Sequence, residues 1–397
     1  MLYQLVRVLV YCAHHVFFKN AYFNGLKNIP KDKPVILACN HPNSYLDAIV
    51  IAVFIRKYTH FLTRGNVFKN PLARVFLHGV KMIPIYRVLE GADNLHKNQD
   101  TFAKCYEILG KNGNVLIFSE GICVHEKRLR PLKKGTARIA FGAMEKQEGD
   151  LDLKIVPVGY NYTDAPKFRK EVIVEIGKPI SAKDYYDQYQ EKPALAINQF
   201  NENLYSELYK NVIHIARKED EELTEQLLEI QRNNLDEYLL PWMKKTGKRF
   251  NTEKKVADTI NHLSEQAPEN LEKLKADCGN YFKILNRLKL TDRLVFHKGD
   301  ISFWYYLLVV FGFPFYIMGY IFNFIPSFLA TYLKNKIVKK IEFHASTWLA
   351  MGMLIYFLYW IIYTSLSFVF LSWWSALLVM TGVPLVGYFK FYYDEIF

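Results

Sequence analysis

Residues 34–47, PVILACNHPNSYLD, give the clearest indication of the fold of this chain. The first half of this segment is an apolar run that ends at Cys39 and is typical of a buried strand. The second half places His41 just past that strand and Asp47 one short loop later. A histidine can accept a proton from an alcohol while a carboxylate on its other ring nitrogen fixes the tautomer. The segment therefore predicts a strand that ends in a candidate general base and its orienting acid.

The same residues also fit a structural interpretation. Ser44 could cap a helix in which Asp47 is the third residue, and this would form an arrangement like a capping box. His41 would then be an ordinary loop histidine. Because Asp47 can serve both roles at once, the sequence leaves both interpretations open.

Short apolar runs alternate with helical patterns on both sides of this segment. The predicted strands are Val35–Cys39, His60–Thr63, Met82–Ile85, Val115–Phe118, Ile155–Tyr160 and Val172–Ile176. The predicted helices are Tyr45–Ile55, Pro71–His78, Asn94–Leu109 and Gly135–Met144. Such alternation indicates an α/β domain over residues 30–180, built on a largely parallel or mixed sheet flanked by helices.

Two further regions carry no recognisable chemistry. Residues 1–29 form an entry segment with an amphipathic helix, whose apolar face comprises Leu2, Leu5, Val6, Leu9 and Ala13. This helix either lies on a membrane or on the α/β domain, or it is an ordinary core-packing helix. Arg7 interrupts the apolar run, so a secretory signal is not expected. Residues 181–300 are polar and mostly helical, which predicts a helical connector region.

The C-terminal region, residues 301–397, is predicted to be embedded in a membrane. No Asp, Glu, Lys or Arg occurs in residues 301–333 or in residues 343–389. At about 1.5 Å per helical residue, each stretch exceeds a hydrocarbon core of about 30 Å. The first stretch is expected to be one long kinked span or a hairpin of two short helices, and the second to be two spans. A large buried helical core is the alternative.

The net charge and the cysteine content limit the ligands and the kinds of site that this sequence can support. The formal net charge is +12. This excess favours anionic lipid or a phosphorylated substrate over nucleic acid, for which no motif is present. The lysines between residues 334 and 340 predict that this loop, and with it the catalytic domain, is cytoplasmic. The five cysteines lack any C-x-x-C spacing, which argues against a disulfide framework and a zinc site.

Three more blocks could bind a substrate. Phe118-Ser119-Glu120-Gly121 ends one predicted strand and precedes a basic loop that runs to Lys134. Residues 83–87, IPIYR, place Arg87 just past another strand, and residues 155–159, IVPVG, form a third. A strand end, a glycine turn and clustered cations can hold a phosphate, although a basic surface loop is the alternative. The absence of a Walker loop and of a G-x-S-x-G elbow gives a serine hydrolase little support.

In this order and spacing, the four blocks resemble the motifs of the glycerolipid acyltransferase family, which includes lysophosphatidate and glycerol-3-phosphate acyltransferases. The segment from His41 to Asp47 resembles its first, catalytic motif. The blocks that contain Arg87, Phe118–Gly121 and Ile155–Val158 resemble its second, third and fourth motifs. The resemblance covers about residues 20–180.

The resemblance implies an activity and a set of site residues. It implies transfer of a fatty acyl group from acyl-CoA or acyl-carrier-protein to a hydroxyl of glycerol-3-phosphate or lysophosphatidate in phospholipid biosynthesis. His41 would be the general base and Asp47 its orienting acid, with no metal or cofactor. The implied acceptor-binding residues are Arg87, Glu120, Gly121, Lys127, Arg128, Arg130 and Lys133. Pro157 would belong to the acyl-donor site.

The chain departs from the family pattern in three places. Five residues separate His41 from Asp47 instead of four, a spacing that some glycerol-3-phosphate or dihydroxyacetone-phosphate acyltransferases share. Ser119 replaces the proline of the usual F-P-E-G-T-R motif, and Cys123 takes the place of its arginine. A membrane-anchored lipid-binding or scaffold protein with a degenerate domain therefore stays an alternative, as does an esterase or thioesterase.

Overall fold

A computed structural model of the chain describes residues 2–55, 57–86, 98–233, 249–296 and 303–396. The strands are β1 (Asn20–Asn24), β2 (Val35–Cys39), β3 (Thr59–Arg64), β4 (Met82–Ile85), β5 (Asn114–Phe118), β6 (Lys154–Tyr162), β7 (Glu171–Ile176) and β8 (Ile180–Ser181). The helices among them are α1 (Leu2–Phe17), α2 (Tyr45–Phe54), α3 (Pro71–Gly79), α4 (Asn98–Gly110) and α5 (Gly135–Lys146).

These strands form one eight-stranded sheet, in the order β1-β7-β6-β2-β5-β3-β4, with β8 paired to β6. All described pairings are parallel except β6 with β7 and β6 with β8. β2 lies near the centre, and all five of its residues are buried. A strand covered on both faces has no polar side, which is why residues 35–39 read as a continuous apolar run.

The mixed α/β fold predicted from the sequence is confirmed. All six predicted strands are present, each with bounds within two residues of the prediction. β1 and β8 were not predicted. β1 has the sequence NAYFN, of which only Tyr22 is buried, so it carries no apolar pattern. The first four residues of the predicted helix Asn94–Leu109 lie outside the described residues.

Helices cover both faces of the sheet. α1 and α2 pack on the face that presents Val35, Leu37 and Cys39. α4 and α5 pack on the opposite face, which presents Ile36 and Ala38. The carboxyl ends of β2, β3, β4 and β5 meet along one edge of the sheet, because these strands are parallel. The loops after these ends carry the residues singled out in the sequence.

The predicted connector region is largely helical. It contains α6 (Tyr186–Glu191), α7 (Pro193–Tyr209), α8 (Glu221–Asn233), α9 (Arg249–Gln266), α10 (Pro268–Leu288) and α11 (Asp292–Phe296). Arg249 bridges Glu171 of β7 and Glu253 of α9, and Glu253 also accepts two hydrogen bonds from Arg232 of α8. Because all four side chains are at least half-buried, these ion pairs fix α8 and α9 against the edge of the sheet.

Three helices follow: α12 (Phe303–Ile337), α13 (His344–Phe370) and α14 (Trp373–Ile396). Each contains a segment long and apolar enough to cross a membrane: Tyr306–Ile337, Ile341–Phe370 with its preceding turn, and Trp373–Asp394. α12 continues through Pro314 and Pro326, so a hairpin of two short helices in this stretch is wrong. The predicted pair of later spans is present as α13 and α14.

The two ends of α12 lie on the same side of this helical unit. The Tyr393 hydroxyl, near the end of α14, donates a hydrogen bond to the Val309 carbonyl oxygen at 3.1 Å. The Trp348 indole, near the start of α13, donates one to Thr331 Oγ1 at 3.2 Å. Both ends of α12 therefore meet the ends of α13 and α14 that face the α/β domain.

Aromatic side chains join the helical unit to the α/β domain. Phe168, in the loop between β6 and β7, packs against Trp348 and Phe391, with ring centroids 4.3 and 4.9 Å apart. Phe343, in the turn before α13, lies 6.0 Å from the ring of Tyr45, the first residue of α2. The entry to α13 therefore lies directly beside the loop that carries His41.

Candidate active site

The loop that carries His41 is fixed to the neighbouring strand β6. The Asn40 side chain accepts a hydrogen bond from the Tyr160 amide at 2.7 Å and donates one to the Tyr160 carbonyl at 3.1 Å. The Asn43 side chain donates to the Ala165 carbonyl at 2.9 Å. These two buried amides replace strand pairing where β2 ends, so the backbone around His41 has a defined position.

Asp47 is fully buried and accepts three hydrogen bonds. One carboxylate oxygen accepts from His41 Nδ1 at 2.9 Å and from the Asn43 amide at 2.8 Å. The other accepts from the Tyr162 hydroxyl at 2.7 Å. Burial and the Asp47 charge raise the pKa of Tyr162, which keeps its phenol protonated as a donor. The buried charge is thus satisfied, as a buried carboxylate requires.

The imidazole of His41 is held in one orientation. Its ring stacks on Phe118 at a centroid distance of 3.7 Å and an angle of 11°. Because a carboxylate can only accept, the hydrogen bond to Asp47 places the proton on Nδ1. Nε2 is then the nitrogen left to accept a proton from a substrate. The His41 side chain is 17% exposed while Asp47 has no exposure, so the base alone reaches the surface.

The capping-box interpretation is wrong for Ser44. Ser44 precedes α2 but its side chain makes no capping hydrogen bond, and its backbone has φ 50° and ψ −134°. A serine at positive φ is strained, and such strain persists only when the surroundings enforce it. The Ser44 amide donates to Cys123 Sγ at 3.1 Å. Cys123, in the place of the family's arginine, thus contacts the turn between His41 and Asp47.

Glu120 supports the same loop from β5. Its carboxylate accepts the His41 backbone N–H at 3.2 Å. Burial raises the pKa of Glu120 to about 7, and hydrogen bonds from the His41 and Arg130 amides oppose that rise. A pKa of about 7 places the change in charge of Glu120 near neutral pH, directly beside His41.

This pKa predicts a pH-dependent stability. Between the ordinary pKa of 4.5 and about 7, folded Glu120 binds more protons than unfolded Glu120, so stability falls as pH rises through this range. Full ionisation should cost about 3 kcal/mol. We expect Glu120→Gln to have a Tm close to that of the wild type at about pH 5 and a higher Tm at about pH 8. Thermal unfolding in detergent measures this, with the exposed Glu202→Gln as control. Parallel pH profiles for wild type and Glu120→Gln would contradict it.

Most of the predicted phosphate-binding cations already have acidic partners. Lys127 forms an ion pair with Glu225, and Arg128 lies 3.5 Å from Glu221, both carboxylates belonging to α8. Arg130 pairs with Glu126 at 2.6 Å. Lys133 is exposed and makes no carboxylate contact among the described residues. A phosphate would therefore have to compete with carboxylates for three of the four. These pairings could not be inferred from the basic loop alone, because the helix that supplies Glu221 and Glu225 lies far along the chain.

Arg64, which the sequence analysis did not select, lies at the carboxyl end of β3. Following the strand register, Arg64 is level with Ser119 and is paired with Ile85. β3 lies two strands from β2, a separation of about 10 Å. Its guanidinium lies over the Phe343 ring at 5.4 Å. Arg87 lies outside the described residues.

Gly121 and Pro157 lie in the backbone framework around the site, in the turn after β5 and within β6. Gly121 has φ 70° and closes the turn after β5, with its amide bonded to the Phe118 carbonyl at 3.0 Å. A side chain at Gly121 would meet Lys133. Pro157 is buried in β6, paired with Ala38. Its expected role in donor binding stays a prediction.

A cavity of about 920 Å³ flanks the loop that carries His41, on the β6 side of that loop. Asn40 and Pro42 line it, but His41 does not, and the opposite wall comes from α8 and α11. Carboxylates such as Glu225 and Glu229 are about as frequent in its lining as lysines and arginines. This balance does not favour a polyanionic ligand. Among the ranges that the structure describes, no three His, Cys, Asp or Glu side chains could hold a metal ion together.

Comparison with known proteins identifies the domain. Residues 20–161 match the family model described as Acyltransferase. Glycerol-3-phosphate O-acyltransferase 1 of Saccharomyces cerevisiae is 42% identical over 79 residues, which are 20% of this chain and 10% of that protein. The 1-acyl-sn-glycerol-3-phosphate acyltransferase BAT2 of Brassica napus is 28% identical over 117 residues, which are 29% of this chain and 32% of that protein.

Part of the chain is also similar to a solved structure, and the chain spans only part of the length of its relatives. The 1-acyl-sn-glycerophosphate acyltransferase PlsC from Thermotoga maritima has 17% identity and a TM-score of 0.37, over 52% of this chain and 78% of that one. The chain thus spans a tenth to a third of the length of the two curated relatives. The matched residues include β2, the His41–Asp47 pair, Glu120 and most of β6. Residues 20–161 therefore match an acyltransferase domain, and this part of the chain is similar to glycerolipid acyltransferases.

Proposed function

We propose that the protein is a membrane-bound O-acyltransferase of phospholipid biosynthesis. It transfers a fatty acyl group from a thioester donor, acyl-CoA or acyl-carrier-protein, to a hydroxyl of glycerol-3-phosphate or lysophosphatidate. The observation that carries this proposal is the hydrogen bond of 2.9 Å between His41 Nδ1 and the buried carboxylate of Asp47. It leaves His41 Nε2 as a base at the carboxyl edge of the sheet.

The reaction follows from this geometry. As the acceptor hydroxyl oxygen attacks the thioester carbonyl carbon, its proton passes to His41 Nε2. Asp47 stabilises the imidazolium that forms. The C–S bond of the tetrahedral intermediate then breaks, and the proton passes from His41 to the departing sulfur. The products are an ester and a free thiol, and the base returns to its neutral state.

The membrane side of the proposal is supported by contacts at the entry to α13. Phe343 lies between Tyr45, next to the catalytic loop, and Arg64. A lipid acceptor in the leaflet at this level would have a short path to His41. The lysines near residue 336 suit a cytoplasmic loop, so we place the catalytic domain on the cytoplasmic side.

We assign the acceptor phosphate to Arg64, together with Arg87 as the family resemblance implies. Arg64 lies at the same edge of the sheet as His41, and a separation of about 10 Å between their strands suits an arginine side chain and a glycerol phosphate. The guanidinium contacts an aromatic ring and no carboxylate among the described residues.

Arg64→Ala should therefore raise the acceptor KM by about 10- to 100-fold, the equivalent of one charge-assisted hydrogen bond. The donor KM should change little, and Arg64→Lys should recover part of the loss. Steady-state kinetics with a phosphorylated acceptor measures this. Lys69→Ala, which removes an exposed cation shortly after β3, is the matched control. A change in donor KM alone would remove the phosphate role of Arg64.

A further inference from the structure

Two helices of the acyltransferase domain present apolar faces to the outside. No residue of α3 is buried, and Leu72 and Val75 are 83% and 73% exposed. In a globular helix, apolar residues at this spacing would face the core. On α1, the face predicted from the sequence is likewise exposed at Leu5 and Leu9. We define the α1–α3 surface by Leu5, Val8, Leu9, Leu72, Val75 and Phe76.

The two helices lie side by side. The connections β2-α2-β3 and β3-α3-β4 move in the same direction across the sheet, so right-handed crossovers place α2 and α3 on one face. α1 packs against α2 on that face. The Leu2 side chain of α1 lies against Gly79, the last residue of α3. The α1–α3 surface is therefore one side of the domain.

Exposed apolar side chains are concentrated on this side. Within the described part of residues 2–181, the large apolar side chains exposed outside α1 and α3 are Leu26 and Tyr58. Tyr58 itself contacts Tyr3 of α1, with ring centroids 5.1 Å apart. A contiguous apolar patch confined to one side marks an interaction surface.

The charge around the patch specifies the partner. Residues 1–31 and residues 48–89 contain no Asp or Glu. Lys69 and Arg74 are exposed on or beside α3. Cations that flank a short apolar helix are typical of segments that lie in the headgroup region of anionic membranes. A second copy of this chain would bring two acid-free cationic surfaces together, and their repulsion disfavours such a dimer.

The patch is also continuous with the apolar helices. Phe17, the last residue of α1, packs against Trp348 at the start of α13, with ring centroids 5.8 Å apart. α1 thus leads from the entry of α13 to α3. We propose that the α1–α3 surface inserts shallowly into the anionic leaflet that α13 enters, and so holds the acyltransferase domain flat against the bilayer. This inference does not depend on catalysis.

The native Cys12 offers a direct test. It is the exposed cysteine of α1, whereas Cys39, Cys105 and Cys278 are buried and Cys123 is half-buried. Cys12 can therefore be labelled selectively with an environment-sensitive fluorophore in the full chain. A second probe is Val75→Cys in a Cys12→Ser background. The control is Lys273→Cys in the same background, at an exposed position on α10.

Each labelled protein is reconstituted in nanodiscs of phosphatidylcholine and phosphatidylglycerol, with and without lipids that carry a nitroxide high on the acyl chain. We expect blue-shifted emission and strong nitroxide quenching at positions 12 and 75, and neither at position 273.

Quenching at position 75 no greater than at position 273 would overturn the proposal. The proposal would also be overturned if the fluorophores were shielded from water but not quenched by the nitroxide lipids, and if two copies were cross-linked through these cysteines. If the Val75→Cys protein fails to fold, labelled Cys12 in the otherwise native chain decides the question. No readout requires turnover, so failure of the proposed acyltransferase activity would be seen separately.

Discussion

His41→Ala is expected to abolish nearly all acyl transfer, with a loss of about 10²–10⁴-fold in kcat. This substitution removes the imidazole that would accept the proton of the acceptor hydroxyl. The neighbouring groups stay in place, because Asn40 and Asn43 hold the loop through hydrogen bonds to residues 160 and 165. Turnover in detergent with a thioester donor and a lysolipid acceptor measures the loss.

The control for His41→Ala is His262→Ala, which removes an exposed histidine from α9. Its turnover should equal that of the wild type. His41→Ala should also keep a wild-type affinity for the acceptor, since the proposed phosphate contacts lie on other strands. Wild-type turnover by a folded His41→Ala protein would exclude this residue as the base.

Asp47→Asn should lower kcat by about 10²–10⁴-fold, and by no more than His41→Ala does, because the acid acts through the imidazole that it orients. The amide nitrogen can donate to His41 Nδ1, and this would move the ring proton to Nε2, where the base must be free. The acceptor and donor KM should change little. Steady-state kinetics and the Tm of the purified variant separate a catalytic loss from unfolding.

Tyr162→Phe provides the matched comparison. It removes one of the three hydrogen bonds to Asp47 but leaves the bond to His41 intact. Losing one hydrogen bond to a buried charge corresponds to about 1.5–3 kcal/mol, part of which should appear as lower stability. We expect a loss of kcat much smaller than for Asp47→Asn. Equal losses of kcat for Tyr162→Phe and Asp47→Asn would show that the hydrogen bond between His41 and Asp47 is not what matters for turnover.

Local patterns in the sequence were enough to predict the six strands and the proximity of His41 to Asp47. β2 is buried on both faces, so its apolar run has a single interpretation. His41 and Asp47 are close in sequence, and their separation could be read directly. β1 was missed because it lies at the edge of the sheet with only Tyr22 buried, so its five residues carry no strand pattern.

The partners of the site could not be predicted, because they come from distant parts of the chain. Tyr162 reaches Asp47 from β6, and Phe343 reaches Arg64 from the turn before α13. Glu225 neutralises Lys127 from α8. Each of these contacts depends on how separate elements pack, and no short motif records that. The outward apolar face of α1 is a similar case, because periodicity identifies such a face without fixing the direction in which it points.

A mass-spectrometric assay of the detergent-purified chain would show whether it transfers acyl groups with His41 as the base. The protein is incubated with acyl-CoA or acyl-carrier-protein and with a panel of acceptors that includes glycerol-3-phosphate and lysophosphatidate, while free thiol is counted in parallel. We expect an acceptor whose mass increases by one acyl group, with one thiol released per ester formed and both signals lost in His41→Ala. Thiol release without an acylated product would indicate a thioesterase. Lipid binding without thiol release from any donor, by a folded protein, would indicate a binding protein, and either result would contradict the account.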